Sequence, residues 1–475
     1  MSKQKLKNNF HDAGKETRGK RKPVEAFRDA TKGVKIRYGI ASLIYILFVI
    51  WLRNPVWLIG LFVIFDLYFT KRVKWAFWKK RYREGEKRNT WLEWLDALIF
   101  ALIVATIVRT FFIEAYVIPT SSMEKSLLVG DYLFVSKVAY GPKVPNTPLS
   151  IPLIHNQISL FGESYESYSE LIKLSNKRLA GFGKIKRNDV VVFNFPNGDT
   201  IIRNHPEIID YHQAKRNIGE KNFKQWLERN RYELVARPVD KKDNYVKRCV
   251  AVPGDSLQIK HAQLYINGEP AKDFPGQEYS YTVVLKEQLS DKALSQLGLS
   301  LEDLRNAGKN QGVRGYSNLT LTQKAYETLK VSSSVVSITK NEVYNESCFP
   351  FSDNYPWSID NYGPIWIPQK GVTVDIDTVN ICLYQRIIQA YEKKPLEIKD
   401  GKIYINGAQA STYTFEMDYY FMMGDNRHGS YDSRAWGFVP EDHVVGKPSF
   451  IWFSSDKDKS FPMNIRWKRL FNAIK

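Results

Sequence analysis

The sequence predicts a mainly β body with an inserted β/α subdomain, which follows three N-terminal transmembrane helices. The first observation is a group of three apolar runs before residue 116, flanked by blocks of Lys and Arg. The second is a change after Tyr116 to short runs of alternating apolar residues, separated by turn residues, which is typical of β-strands. With 475 residues, the chain is long enough to hold both parts.

The net charge of +19 is concentrated near the apolar runs. Residues 1–35 contain eleven Lys or Arg and four acids, and residues 71–90 contain nine and two. Basic blocks beside membrane segments mark the cytoplasmic side, whereas the rest of the chain is close to neutral. The charge therefore indicates membrane topology and argues against a nucleic-acid partner.

Two apolar runs, Tyr38–Leu52 and Pro55–Phe69, are separated only by Arg53 and Asn54. This spacing predicts a transmembrane hairpin over residues 38–69, although a buried helical hairpin of a soluble protein would show a similar pattern. Each run is short for a bilayer core of about 30 Å, so flanking aromatic and basic residues are expected at the interfaces.

A third apolar run, Leu95–Val108, predicts a transmembrane helix over residues 91–115. The orientation follows from the basic blocks: a cytoplasmic tail (1–37), a cytoplasmic loop (70–90) and an extracytoplasmic body. Some 37 polar and basic residues precede the first run, which argues against a cleavable signal peptide. We therefore expect a multi-pass protein of the cell (inner) membrane that contacts membrane lipid.

The body is divided into a first β part (116–276), an inserted subdomain (277–359), a second β part (360–455) and a basic tail (456–475). Helices are expected in the insertion around residues 300–307 and 322–330. The tail is predicted to be either an ordinary terminal helix, the simpler interpretation, or a segment that rests on the membrane surface.

Residues 257–268 (LQIKHAQLYING) and 396–407 (LEIKDGKIYING) resemble each other, and each ends in a sequence typical of a hairpin turn. The similarity indicates either two hairpins of a duplicated subdomain or a chance repetition of hairpin chemistry.

The three cysteines, Cys249, Cys348 and Cys382, do not form a C-x-x-C motif. This pattern excludes a disulfide framework and a Cys-based zinc site, although one pair could still form a disulfide. The sequence also lacks the H-E-x-x-H motif of a metalloprotease. We predict no metal and no cofactor.

Two segments contain candidate catalytic residues. The segment Ile118–Met123 (IPTSSM) is a hydroxyl-rich turn directly after the third apolar run, where Ser122 could act as a nucleophile. Lys247 lies in an apolar β-type run, where burial would favour its neutral amine, and a neutral amine can act as the base. Hydroxyls that only bond to the backbone and a surface lysine are the structural alternatives.

A third segment, residues 424–440 (GDNRHGSYDSRAWGFVP), is dense in Gly, Asp, Asn, Ser and Arg. This composition predicts a loop that is held together by hydrogen bonds and ion pairs between its own side chains.

In this order and behind membrane segments, the three blocks resemble the type I signal peptidase family of Ser/Lys proteases. The resemblance implies a signal-peptidase-like β body in which Ser122 is the nucleophile and Lys247 is the general base. It also implies that Thr120 supplies an oxyanion-hole hydroxyl and that Ser430 orients the lysine. Three further positions, Asp425, Asp432 and Arg434, correspond to residues that shape the site.

The same resemblance implies a substrate: a preprotein with an N-terminal signal peptide, extended at the cleavage point and small one and three residues before it. Its side chains would fit shallow apolar pockets lined by Ile118, Met123, Tyr245 and Val246. The family often has other residues at Lys125–Ser126, Ala251 and His428, but none of these departures removes a proposed catalytic group. The oligomeric state is left open.

Two other functions fit parts of the sequence. Ser122–Lys125 matches S-x-x-K and Ser352–Asn354 reads S-D-N, as in penicillin-binding acyltransferases, but a Lys-Thr-Gly motif is missing. The second is a membrane-tethered β module that binds exported chains without cleaving them, in which case Lys247 would face solvent.

Overall fold

A computed structural model describes residues 23–52, 55–73, 90–160, 163–196, 200–203, 210–299, 301–308, 314–344 and 348–474. It divides into a helical unit (residues 1–108) and a larger body (109–475). Parts of the predicted tail (residues 1–22), hairpin connection (53–54) and cytoplasmic loop (74–89) lie outside the described residues.

The helical unit contains an antiparallel hairpin. The Tyr45 hydroxyl donates to the Trp57 carbonyl at 2.7 Å, and the Tyr38 ring lies 4.8 Å from the ring of Phe69. A side chain at Gly60 would collide with the Tyr45 ring, so glycine permits this close approach. The helical segments are Pro23–Arg28, Lys32–Leu52, a 3₁₀ turn Pro55–Ile59, Gly60–Phe65, a π turn Asp66–Thr70, and Thr90–Phe111, which continues past the unit.

Within the described residues, two helices are long and apolar enough to cross a membrane, Lys32–Trp51 and Thr90–Phe111. The predicted second span is a shorter apolar helix, Trp57–Thr70, so three spanning helices are only partly supported. This helix ends where the Asp66 carboxylate accepts the Arg72 backbone N–H at 2.9 Å. The span predicted over 91–115 extends too far, because a strand begins at Ile113.

The body is mainly β, as predicted. Its strands are β1 (Ile113–Val117), β2 (Asp131–Ser136), β3 (Lys143–Val144), β4 (Gln157–Leu160), β5 (Glu163–Glu166), β6 (Lys177–Arg178), β7 (Val190–Asn194), β8 (Thr200–Arg203), β9 (Glu233–Ala236), β10 (Asn244–Ala251), β11 (Ser256–Lys260), β12 (Gln263–Ile266), β13 (Glu269–Pro270), β14 (Glu278–Leu285), β15 (Gly315–Thr322), β16 (Val335–Lys340), β17 (Tyr362–Trp366), β18 (Thr373–Asp375), β19 (Leu396–Lys399), β20 (Lys402–Ile405), β21 (Ala408–Gln409), β22 (Thr412–Thr414), β23 (Tyr419–Met423), β24 (Val439–Pro440) and β25 (Val444–Ser454).

The helices of the body lie between the strands. They are Tyr211–Ile218, Glu220–Asn230, Asp291–Leu297, Leu301–Asn306, Gln323–Lys330, Ile381–Arg386 with a π turn Ile387–Tyr391, and Ser433–Trp436; 3₁₀ turns occur at Ser121–Met123, Val239–Lys241, Glu441–His443 and Trp467–Arg469.

The main sheet is antiparallel and has the order β1-β2-β25-β7-β10-β23-β24. Strands β7 and β23 are buried along their whole length, which explains their nearly continuous apolar sequences, VVVFN and YYFMM. This burial holds the strands at the centre of the sheet in a fixed position, including β10 between them.

The two similar sequences both form paired hairpins. In the first, β11, β12 and β13 follow each other, and in the second β19, β20 and β21 do the same. Asn267 and Asn406 both have positive φ in the predicted turns, at 54° and 53°, and each is followed by a glycine. The predicted turns are therefore confirmed.

The insertion has its own sheet, in the order β15-β14-β16, and its own apolar core. Its predicted helices are observed at Leu301–Asn306 and Gln323–Lys330, and a further helix lies at Asp291–Leu297. Two helices between β8 and β9, Tyr211–Ile218 and Glu220–Asn230, were not predicted.

The C-terminal segment is not a regular terminal helix. It folds back on the body, where Arg469 binds Asp131 (Nη2 to Oδ2, 2.6 Å) and Ala473 forms a β-bridge with Phe450. The helix expectation for this segment is wrong, because its polar groups pair with β2 and β25 instead.

Candidate active site

The segment around Ser122 is a tight turn, and buried apolar residues precede and follow it. Thr120 is extended, and Ser121–Met123 form one 3₁₀ turn. Ile118 and Met123 are buried together with Leu127, whereas Ser122 between them is partly exposed. The apolar neighbours therefore fix the backbone and leave the Ser122 hydroxyl at the surface of the site.

Lys247 lies on β10, opposite Val191 of β7, and its side chain is 3% exposed. Its amine is hydrogen-bonded to the Ser122 hydroxyl, although 125 residues separate the two in the chain. The amine also lies 5.9 Å from the centre of the Tyr245 ring. The alternative of a solvent-facing lysine is therefore wrong.

Burial lowers the pKa of Lys247 to about 8, because a charged amine is poorly solvated there. The carboxylates of Asp432 and Asp425 oppose this shift, and the guanidinium of Arg434 adds to it. At pH 7 about a tenth of the Lys247 amine is uncharged, and this fraction can accept a proton.

Two buried ion pairs enclose the site. Arg248 binds Asp425 through two bonds, Nε to Oδ1 at 2.8 Å and Nη2 to Oδ2 at 2.6 Å. Arg434 binds Asp432 in the same two-bond manner, at 2.9 and 2.8 Å. Burial alone would raise the pKa of Asp432, but Arg434 holds it below its usual value, so Asp432 stays charged near Lys247.

Asn426 connects the block 424–440 to the nucleophile turn. Its backbone N–H donates to the Ser122 carbonyl at 3.2 Å, and its side-chain amide donates to the Ser121 carbonyl at 3.4 Å. Gly424 packs so closely that a Cβ there would lie 2.5 Å from the Ser122 carbonyl oxygen and still closer to the Ser430 hydroxyl. Both residues lie in the loop predicted over residues 424–440, but neither was assigned a role there. A contact that the backbone makes cannot be recognised from the type of side chain in the sequence.

The inserted subdomain also contacts this block. The Glu278 N–H, at the start of β14, donates to the Asp425 carbonyl at 2.9 Å, and the Glu278 carbonyl accepts the Arg427 N–H at 2.9 Å. Lys125, three residues after Ser122, binds Asp303 of the insertion at 3.1 Å. The first residue of strand β14 is therefore hydrogen-bonded to the loop that contacts the nucleophile turn.

Comparison with known protein families finds a match over most of the chain. The sequence profile described as "Signal peptidase, peptidase S26" matches residues 91–372 and 364–453, which is well over half of the chain. The chain belongs to this signal peptidase family. The prediction of a type I signal peptidase, a hydrolase, is confirmed.

Relatives in several bacteria are similar over most of their length, at low identity. Signal peptidase I of Haemophilus influenzae is 26% identical over 397 residues, which covers 81% of this chain and 76% of the relative. Signal peptidase I of Buchnera aphidicola from Schizaphis graminum is 25% identical, covering 82% and 83%. For Helicobacter pylori strain 26695 the identity is 21%, covering 80% and 91%.

The residues that the family resemblance assigned to substrate pockets fall into two groups. Ile118, Met123 and Val246 pack in one apolar cluster beside the nucleophile turn. Tyr245 belongs to another cluster, where its ring stacks on Phe195 at 4.6 Å. Side chains of neighbouring residues in a strand point to opposite faces, so the side chains of Tyr245 and Val246 lie on opposite faces of β10.

The two hydroxyls with assigned roles show no bond to the catalytic pair in the described part of the chain. Thr120 is exposed in the position before the 3₁₀ turn. The Ser430 hydroxyl oxygen is buried against Gly424 and has no hydrogen-bond partner there. Both roles remain predictions.

The sequence predicts neither a disulfide framework nor a metal site in the body. No disulfide joins these three cysteines, all of which lie among the described residues, and Cys249 and Cys348 are buried. Among the described residues, no group of three or more His, Cys, Asp or Glu side chains is arranged to hold a metal ion.

Proposed function

We propose that this chain is a membrane-bound serine endopeptidase whose Ser122/Lys247 dyad cleaves N-terminal signal peptides from exported preproteins. The observation that supports it best is the hydrogen bond between the Ser122 hydroxyl and the buried Lys247 amine. A base must lie within hydrogen-bond reach of the proton that it removes. Family membership supplies the reaction class, cleavage of signal peptides.

In the proposed reaction, the neutral Lys247 amine takes the Ser122 proton while Oγ attacks the scissile carbonyl. The resulting ammonium gives that proton to the leaving amine, the C–N bond breaks, and an acyl-enzyme remains on Ser122. Lys247 then removes a proton from water, which attacks the ester carbonyl. The C–O bond to Ser122 breaks, the Lys247 ammonium returns its proton to Oγ, and the cleaved signal peptide leaves as a carboxylic acid.

The oxyanion of the tetrahedral intermediate needs hydrogen-bond donors. Ser122 lies in the first turn of a 3₁₀ helix, where backbone N–H groups lack acceptors within the helix. We assign its N–H to the oxyanion hole, together with the Thr120 hydroxyl. Loss of one such donor typically costs roughly 2.7–4 kcal/mol of transition-state stabilisation.

We assign Ser430 to orienting Lys247, and Asp425, Asp432 and Arg434 to holding the site in shape. The substrate is proposed to place small side chains against Ile118, Met123 and Val246 on one side of β10, with Tyr245 on the other.

The membrane assignment rests on the two long apolar helices and on the basic blocks of the sequence. We propose a multi-pass protein of the inner membrane with a cytoplasmic N-terminus and an extracytoplasmic catalytic body. The short helix Trp57–Thr70 would complete the hairpin, and its flanking aromatic residues would reach the lipid interface.

Cleavage of a labelled preprotein by the full chain in detergent tests the dyad. We expect Ser122→Ala and Lys247→Ala each to abolish cleavage. Ser121→Ala and Lys260→Ala, which change exposed residues of the same types, should leave it intact. Wild-type cleavage in either dyad variant, with product of the correct mass, would contradict the assignment.

The penicillin-binding alternative requires Lys125 to serve Ser122 in the S-x-x-K arrangement. Its amine instead binds Asp303 of the insertion. Labelled β-lactam bound covalently to Ser122 in a Lys247→Ala variant would favour that function over proteolysis.

A further inference from the structure

A cleft of about 590 Å³ lies on the body among residues that the proteolytic mechanism does not use. One wall comes from the segment between β3 and β6, a second from the residues after β9, and a third from the turn before β25. Its lining includes Lys173, Arg237, Val239, Tyr391, Lys393 and His443.

Arg237 is the unusual member of this lining. It is 9% exposed, and the ion pair found for it among the described residues is a long one, with Arg237 Nη1 and Asp243 Oδ2 3.9 Å apart, beyond hydrogen-bond distance. No hydrogen bond joins this guanidinium to another described residue, so its N–H donors can bind a ligand in the cleft. Its planar set of N–H donors matches a carboxylate or a phosphate group.

Three basic side chains beside this cleft, Lys143, Lys242 and His443, are close together. Lys143 donates to the Asp442 carbonyl at 2.7 Å, and Lys242 lies 3.4 Å from His443 Nε2. Burial lowers the pKa of Lys143 to about 7, with Arg178 nearby adding to the shift and Asp442 and Asp240 opposing it. Burial likewise lowers the pKa of His443 to about 4, so this ring is neutral at pH 7.

Each of three carboxylates near the cleft has at least one partner, although Asp240 Oδ1 has none among the described residues. The Asp442 side chain binds His443 Nδ1 at 2.6 Å, Glu170 pairs with Lys173 at 2.7 Å, and Asp240 accepts from Thr147 at 3.2 Å. Arg237 and the exposed Lys393 thus remain available to an anion from solvent. Val239, Tyr391 and Leu174 add an apolar part to the lining.

We propose that this cleft binds the anionic head of a small organic acid, a carboxylate or a phosphate monoester, with Arg237 as the main donor. The apolar part of the ligand would lie against Val239 and Tyr391. This site is independent of the Ser122/Lys247 assignment.

Calorimetric titration of the full chain in non-ionic detergent tests the proposal with hexanoate, hexyl phosphate, inorganic phosphate and hexan-1-ol. We expect saturable binding of one hexyl anion, weaker binding of inorganic phosphate and no binding of the alcohol. A preference between hexanoate and hexyl phosphate identifies the head group.

Two pairs of variants locate the site. Arg237→Gln should weaken binding at least tenfold, whereas Arg229→Gln, which removes an exposed arginine outside the cleft, should not. Lys393→Glu should weaken binding through charge reversal without a change in the interior, and Lys402→Glu is its matched control.

Preprotein cleavage and circular dichroism confirm that each variant is folded. If Arg237→Gln does not fold, the Lys393→Glu and Lys402→Glu pair decides the question. Equal affinity in Lys393→Glu and wild type, or wild-type protein that shows no saturable binding in the millimolar range, would overturn the proposal.

Discussion

Lys247 should lower the stability of the fold at neutral pH, and replacing it with methionine should therefore stabilise the protein while it abolishes cleavage. Methionine has a similar length and volume and removes only the charged group. The pKa of Lys247 falls from 10.5 for an ordinary lysine to about 8 in the folded protein. A difference of this size corresponds to about 3 kcal/mol, at roughly 1.4 kcal/mol for each pKa unit.

The pH dependence has a definite sign. Below pH 8 the lysine is protonated in both the folded and unfolded states, so the folded state bears the full cost of burying the charge. Between pH 8 and 10.5 the unfolded state binds more protons, so wild-type stability rises relative to Lys247→Met. The advantage of the variant should be about 3 kcal/mol at pH 7 and close to zero above pH 10.5.

Urea unfolding of the full chain in non-ionic detergent, followed by tryptophan fluorescence from pH 7 to pH 11, measures this difference. Lys260→Met, at an exposed position, should show no pH-dependent advantage. The reasoning is refuted if Lys247→Met is no more stable than wild type at pH 7, or if its advantage does not decline with rising pH.

Three further outcomes are expected. The kcat/KM for preprotein cleavage should fall tenfold for each pH unit below about 8, because only neutral Lys247 is a base; a rate independent of pH between 6 and 8 would speak against it. Asp425→Asn should destabilise the fold by about 3–5 kcal/mol in urea unfolding, since it leaves the buried Arg248 charge uncompensated. Gly424→Ala should reduce kcat more than it raises KM, because the added Cβ pushes on the Ser122 carbonyl; wild-type kcat would show that the turn can move freely.

The sequence was most informative about residues whose chemistry is uncommon at their position. A lysine in an apolar strand and a hydroxyl-rich turn after an apolar helix both led to the pair that is hydrogen-bonded in the structure. The resemblance to a known family was needed to place Ser122 and Lys247 in one site. They are 125 residues apart, and the periodic pattern of apolar residues predicts only local structure.

Other features could not be predicted from the sequence, because contacts between distant parts of the chain determine them. Asn426 reaches the nucleophile turn through its backbone, and Glu278 joins the insertion to the same block. The second apolar run was predicted to span the membrane, but it consists of three short helical pieces, Pro55–Ile59, Gly60–Phe65 and Asp66–Thr70. The tail sequence RWKRLF suggested a helix, yet Arg469 is held by Asp131, more than 300 residues earlier in the chain.

The position of β25 affects the order in which activity can appear during biosynthesis. This strand, near the end of the chain, lies between β2 and β7, so the sheet stays in two pieces until residues 444–454 have emerged. The partial chain would hold Ser122 on one piece and Lys247 on the other. A nascent copy would thus keep the two members of the proposed dyad apart until its last long strand has been made.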